Sequence, residues 1–144
     1  MTTYVTSREI PAPVEEVFAA MSSPERLARW WGPAGFSNTF EVCEFRRGGT
    51  WLFTMHGPDG RNFRNESQFE EIDCPKRVVV RHVSEPKYRL TIALESCKGG
   101  TLVSWARSFD RPRVGERLRQ IVVPANEQNM DRLTAEVSRS KGVD

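Results

Sequence analysis

The sequence predicts an α+β fold: a curved antiparallel sheet of about six to seven strands wrapped around a long C-terminal helix, with two short helices after the first strand. Three observations predict it. From Phe36 to Phe109, β-rich segments alternate with tight-turn words. The stretch ahead of them, 12–31, has helical spacing, and the chain closes on a second helical repeat after Pro124. At 144 residues the chain has the size of one domain. A sheet with one apolar face must curl around the single helix able to cover it, since a flat one leaves much of that face in water.

The elements follow in order. "TYVTSREI" (3–10) carries β-branched and aromatic residues and stops at Pro11, so it reads as a strand. In 12–21, Val14, Val17, Phe18 and Met21 repeat at helical spacing, with Glu15 and Glu16 near the positive end of the helix dipole. Ser23 then caps a second short helix with Pro24 at its first position, and Gly32-Pro33 ends it. That helix closes on Trp30-Trp31, two adjacent indoles that one helix face cannot hold, so one of them needs a second apolar place to go.

Six strand segments follow: "FSNTFEVCEF", "TWLFTMH", "NFRNESQFEEI", "RVVVRHV", "YRLTIALES" and "TLVSWARSF". They are separated by "RRGG", "GPDG", "DCPK", "SEPK" and "CKGG", which read as turns of an antiparallel meander. Alternation puts Trp51, Phe53 and Met55 on one face, as it does Leu90, Ile92 and Leu94, and Val103, Trp105 and Phe109. Segment 110–123 reads as a loop with a short helix, part of it mobile at Gly115. Pro124 opens the last helix, which runs to about Ser138, roughly 22 Å at 1.5 Å per residue, with Met130, Leu133 and Val137 on its apolar face. The end, 138–144, reads as frayed.

Composition excludes several classes. A net charge of +2, with arginines interleaved among acidic residues and glycines, suits no polyanion, so no nucleic-acid partner is expected. No run of eighteen apolar residues and no signal-peptide pattern occurs, so neither membrane insertion nor export is expected, and the location expected is the cytoplasm. Cys43, Cys74 and Cys97 are widely spaced, with no C-x-x-C and no His pair nearby, which fits neither a disulfide framework nor a metal site. No cofactor motif is present, and none is expected.

The catalytic candidates are His82 and Glu71. His82 shares strand parity with Val78 and Val80; if those face inward it does as well, and a neutral imidazole among apolar walls can orient a ligand or act as a base. The other register, through Val79 and Val83, brings Arg81 inside instead, and a satisfied core histidine is the better reading. Glu71, two residues from Phe69, can look inward as a general acid. His56 beside the Gly57–Gly60 turn reads as a solvent-facing side chain or a hairpin cap, and Arg107, between Trp105 and Phe109, as a partner for a ligand carboxylate or an outward-reaching side chain.

Taken together, the words "APVEEVFAAM" (12–21), "SPERLARWWGPAGF" (23–36), "EFRRGGTWLFTMHGPDG" (44–60), "FEEIDCPKRVV" (69–79), "GGTLVSW" (99–105) and "NMDRL" (129–133) resemble the START-like, or SRPBCC, superfamily. Within it the chain is similar to the branch named after the C-terminal domain of the heat-shock chaperone ATPase activator. The resemblance implies a helix-grip fold and an apolar cavity between the sheet and the last helix, holding a small hydrophobic molecule. Its implied lining is Trp30, Trp31 and Phe36; Trp51, Phe53, Met55 and Phe69; His82, Leu90 and Ile92; Trp105, Arg107 and Phe109; and Met130 and Leu133. It implies that one indole of the pair packs as core while the other lines or lids the cavity mouth. For Glu71 it implies a structural bond to an arginine such as Arg8 or Arg46. Two other functions come with it: a cavity enzyme of cyclase, hydrolase or lyase type, and a chaperone-associated interaction domain, the weakest by sequence. An exposed edge strand is compatible with a homodimer.

Overall fold

Each strand word between 37 and 109 pairs with the next, so the meander forms as its turns dictate. The computed structural model describes residues 2–141. β1 (Thr2–Ile10) leads into α1 (Val14–Ser22) and α2 (Pro24–Trp30). Then come β2 (Ser37–Cys43), β3 (Thr50–His56), β4 (Asn62–Asp73), β5 (Arg77–His82), β6 (Tyr88–Cys97) and β7 (Gly100–Phe109). The chain ends in α3 (Pro112–Arg117) and α4 (Arg119–Lys141). One seven-stranded sheet runs β1-β7-β6-β5-β4-β3-β2, antiparallel throughout. Bulges in β2 between Phe40 and Val42 and in β4 between Phe69 and Glu71 break the pairing register and bend their strands. The architecture is the expected α+β helix-grip arrangement.

The core lies on the inner face of the sheet. Trp51 and Phe53, Phe69, Val78 and Val80, Leu90 and Ile92, and Val103, Trp105 and Phe109 are buried there, as the alternation predicts. Onto them α4 lays Val122, Met130, Leu133 and Val137, all buried. Thr6 donates to Glu127, and Arg8 donates to Asp131 at 2.8 Å and to Glu127 at 3.3 Å, which ties α4 to edge strand β1. α1 and α2 close one end through Val17, Phe18, Met21, Leu27 and Trp30. Ser23 caps α2 as expected, its hydroxyl accepting from the Arg26 amide at 3.4 Å.

The last helix starts earlier than Pro124. It begins at Arg119, and Pro124 lies inside it. The carbonyl that Pro124 leaves without a donor belongs to Gln120, an exposed residue, so water can satisfy it. Gly115 does not mark a loose loop either. It is buried in α3, its carbonyl accepts from the Tyr4 hydroxyl at 2.8 Å, and a Cβ there would come within 2.9 Å of the Thr2 Cβ. The glycine is needed for close approach of α3 to β1. The end read as frayed is helical through Lys141; residues 142–144 lie outside the described residues.

Candidate functional site

Both indoles of the pair enter the core, and the backbone explains how. Trp30 is the last residue of α2; Trp31, its C-cap, is extended at φ −67°, ψ 135°. That change swings the second side chain around to the same interior. Trp30 and Trp31 are 0% and 4% exposed, with ring centroids 5.7 Å apart. Of the expectation that one packs as core while the other lines or lids a mouth, the lid does not hold: Trp30 donates to the Ala20 carbonyl at 2.9 Å, Trp31 packs on Trp51, Phe53 and Trp105, and both line the small void beneath the turn. Gly32 follows at φ +95°, where a Cβ would also strike the Met55 methyl at 2.7 Å.

Polar side chains of α4 hold this turn. The Arg132 guanidinium donates to the carbonyls of Trp31, Gly32 and Pro33 at 2.9–3.0 Å and to that of Arg29 at 2.7 Å. Asn129 donates to the Trp30 carbonyl at 3.0 Å and accepts from the Gly32 amide at 3.3 Å. From β2, Asn38 donates to Ala28 and Trp31. The carbonyls that α2 leaves unmet at its end, and the negative end of its dipole, thus face a cation and two amides. One turn further along α4, Glu136 is 4% exposed and accepts from Arg26, Arg29 and Arg139. Burial works to raise its pKa, but hydrogen bonds from Arg29, Arg139 and Arg26 outweigh that and bring it down to about 2.

Beneath the turn lies a void of about 10 Å³, room for about one water. Trp30, Trp31, Trp51, Phe69 and Ile92 border it, as do Met21, Leu27, Phe45, Val78 and Val80. Trp51 is stacked between Phe53 (4.4 Å) and Phe69 (5.2 Å), and Phe45 packs edge-on to Phe69 at 5.0 Å and to Phe18 at 5.9 Å. Phe53, Leu90, Trp105, Phe109, Met130 and Leu133 are buried in the surrounding core without bordering the void. The interior is close-packed rather than hollow.

His82 faces inward with Val78 and Val80, while Arg81 turns outward to a bidentate pair with Asp110. The imidazole is 2% exposed and stacked on Tyr88 at 4.5 Å. Nδ1 meets the Pro86 carbonyl at 2.7 Å, and Nε2 meets Asn65 at 2.7 Å and Ser84 at 3.3 Å. Burial lowers its pKa against the pull of the Pro86 carbonyl, and the charge of Arg107 lowers it further. Arg107 lies over the opposite partner of that stack, its Cζ 4.7 Å from the Tyr88 ring centre, with Nε buried and unbonded.

Three expected positions move. The β4 bulge reverses the alternation after Phe69, so Glu71 pairs across from outward Val79 and binds Arg77 at 3.1 Å, not Arg8 or Arg46. It is half-exposed rather than inward. Phe36 leaves the interior and packs on exposed Phe63 at 6.1 Å. Met55 is only half-buried, under Gly32. His56 does brace its hairpin, meeting Thr39 at 2.7 Å and Asn62 at 2.6 Å. Among the described residues no group of three or more His, Cys, Asp and Glu side chains could hold a metal, and no helix is long and apolar enough to cross a membrane.

Residues 11–138, which span both tryptophans and the α4 clamp, match the family described as Activator of Hsp90 ATPase homolog 1-like protein. The chain belongs to that family. Solved structures share its fold. An Arthrobacter aurescens protein is 26% identical with a TM-score of 0.87, over 95% of this chain and 86% of its own. A Nitrosomonas europaea protein is 20% identical with a TM-score of 0.86, over 96% and 95%. A Rhodobacter sphaeroides protein is 22% identical with a TM-score of 0.84, over 96% and 93%. No curated protein matches significantly.

In this member of the activator-homologue family, sequence reasoning missed the residues that position the site. Asn129 and Arg132 read as ordinary polar positions of an amphipathic helix; only their place in "NMDRL" set them apart. Phe45 closes the segment "FSNTFEVCEF", but β2 stops at Cys43 and the Glu44–Gly49 turn folds Phe45 back onto Phe69. Val78 and Val80 were readable from their parity with His82, and Met21 and Leu27 from helical spacing.

Proposed function

We propose that this chain binds a small apolar molecule at the ring-lined void between α1–α2 and strands β3 to β6. The carrying observation is convergence: ten apolar side chains meet around a space that none of them fills. The fold family commonly binds hydrophobic ligands, which supports the reading. Because the space is only about 10 Å³, uptake requires the wall to move. Phe45, half-buried on the β2–β3 connection, is the side chain best placed to swing out. We place the protein in the cytoplasm, where its free Cys43, Cys74 and Cys97 suit a reducing medium.

The competing readings have less support. As an enzyme, the chain offers His82 with both ring nitrogens engaged and Glu71 on the outer face. As a chaperone-associated domain it carries the family's name, but its large exposed apolar side chains, Val5, Phe63, Ile121 and Val123, are divided among β1, β4 and α4.

The test is uptake of N-phenyl-1-naphthylamine, with native mass spectrometry of the protein as purified. One molecule should bind per chain, saturably. Val78→Phe, which fills the void, should abolish uptake while lowering stability by only about 1–3 kcal/mol. A bare mass together with no saturable uptake would sink the reading.

A further inference from the structure

We propose, building on the ligand-binding reading, that the indole N–H of Trp51 is the polar anchor of the site, and that the molecule it takes is neutral and carries a carbonyl-type oxygen. Two other buried indoles have acceptors: Trp30 uses the Ala20 carbonyl at 2.9 Å and Trp105 the Asn126 side-chain oxygen at 3.2 Å. Trp51 is just as deeply buried, at 1% exposure, yet its Nε1 has no hydrogen-bond partner. Its neighbours are rings: Phe53 and Phe69 stacked on it, Trp31 at 4.8 Å and Phe40 at 5.5 Å edge-on. A π face is a weak acceptor, and a buried donor without an oxygen is unfavourable.

Packing alone does not account for the N–H. Phenylalanine would stack between Phe53 and Phe69 without carrying an unmet donor. The same ring borders the void, so once the wall moves to admit a molecule, an oxygen on it comes within reach of this buried, unbonded N–H. The void's lining consists of Met, Leu, Ile, Val, Phe and Trp side chains, and no cation is among them to balance an ionised acid. Chemistry therefore selects an apolar body with a ketone, aldehyde or ester oxygen.

The test uses acetophenone and α-methylstyrene, which share one planar skeleton and differ by oxygen against CH2. Both are titrated into wild type and Trp51→Phe, with binding read from amide and indole 1H–15N spectra. In wild type the Trp51 indole signal should move downfield with acetophenone and not with α-methylstyrene. The ratio of the two affinities should fall about tenfold in Trp51→Phe, the effect of one hydrogen bond. Equal ratios in both proteins, with no downfield shift, overturn the anchor and leave the ligand-binding reading standing. Binding of neither compound overturns both. Because the indole shift is read in wild type, the proposal stays falsifiable even if the variant is unstable.

Discussion

At the Trp31–Gly32–Pro33 turn, three backbone carbonyls point at one guanidinium, and a fourth, from Arg29, completes its set. Replacing Arg132 by Met keeps the stem but leaves these acceptors without donors, so denaturant unfolding should show a loss of about 2–4 kcal/mol. Arg132→Lys should recover only part of it, because an ammonium lacks the planar fork that spans several carbonyls. Glu136 carries a pH signature. Its pKa in the fold, about 2, lies below the ordinary 4.5, so its stabilisation is present above about pH 4.5 and is lost as pH falls toward 2. Glu136→Gln should thus cost on the order of 2–3 kcal/mol at pH 7. The gap between variant and wild type should close at about pH 2; an unchanged gap in melts at the two pH values would contradict this assignment.

Elements are set by small departures from regularity. One extra residue at the β4 bulge turns Glu71 from the core to Arg77, which plain alternation counted from Phe69 cannot foresee. In α3 the relevant feature is room. Gly115→Ala puts a methyl 2.9 Å from the Thr2 Cβ and 3.1 Å from the Phe109 Cβ, both anchored in strands. It should cost about 1–3 kcal/mol by overpacking, and hydrogen exchange should rise first in β1, the strand α3 rests on. Protection of β1 unchanged from wild type would show that α3 docks less tightly than these distances imply.

For the whole molecule, the packed interior has a kinetic consequence. A ligand cannot enter about 10 Å³ of space without displacing rings, so association should be gated by opening of the α1–α2 end. In stopped-flow mixing with N-phenyl-1-naphthylamine, the observed rate should level off with probe concentration, at an apparent association constant below about 10⁵ M⁻¹s⁻¹. A linear rise through about 10⁷ M⁻¹s⁻¹ would mean that an open cavity exists in solution.

Much of the fold was legible in the chain because it rests on local chemistry. Turn words at "RRGG", "GPDG" and "CKGG" separate strands, Ser23-Pro24 starts α2, and period-two spacing assigned Trp51, Phe53, Leu90, Ile92 and Trp105 to one face. The site was legible only in its residue types. What the sequence determined by itself was the order of elements, their apolar faces and the family. Tertiary structure alone decided that both indoles share one core, that Asn129 and Arg132 hold their turn, and that Trp51 keeps an unmet donor beside a small void. The reason is physical: periodicity records which side of an element is apolar, whereas hydrogen-bond partners and residual space depend on elements about a hundred residues apart meeting at distances of a few ångströms.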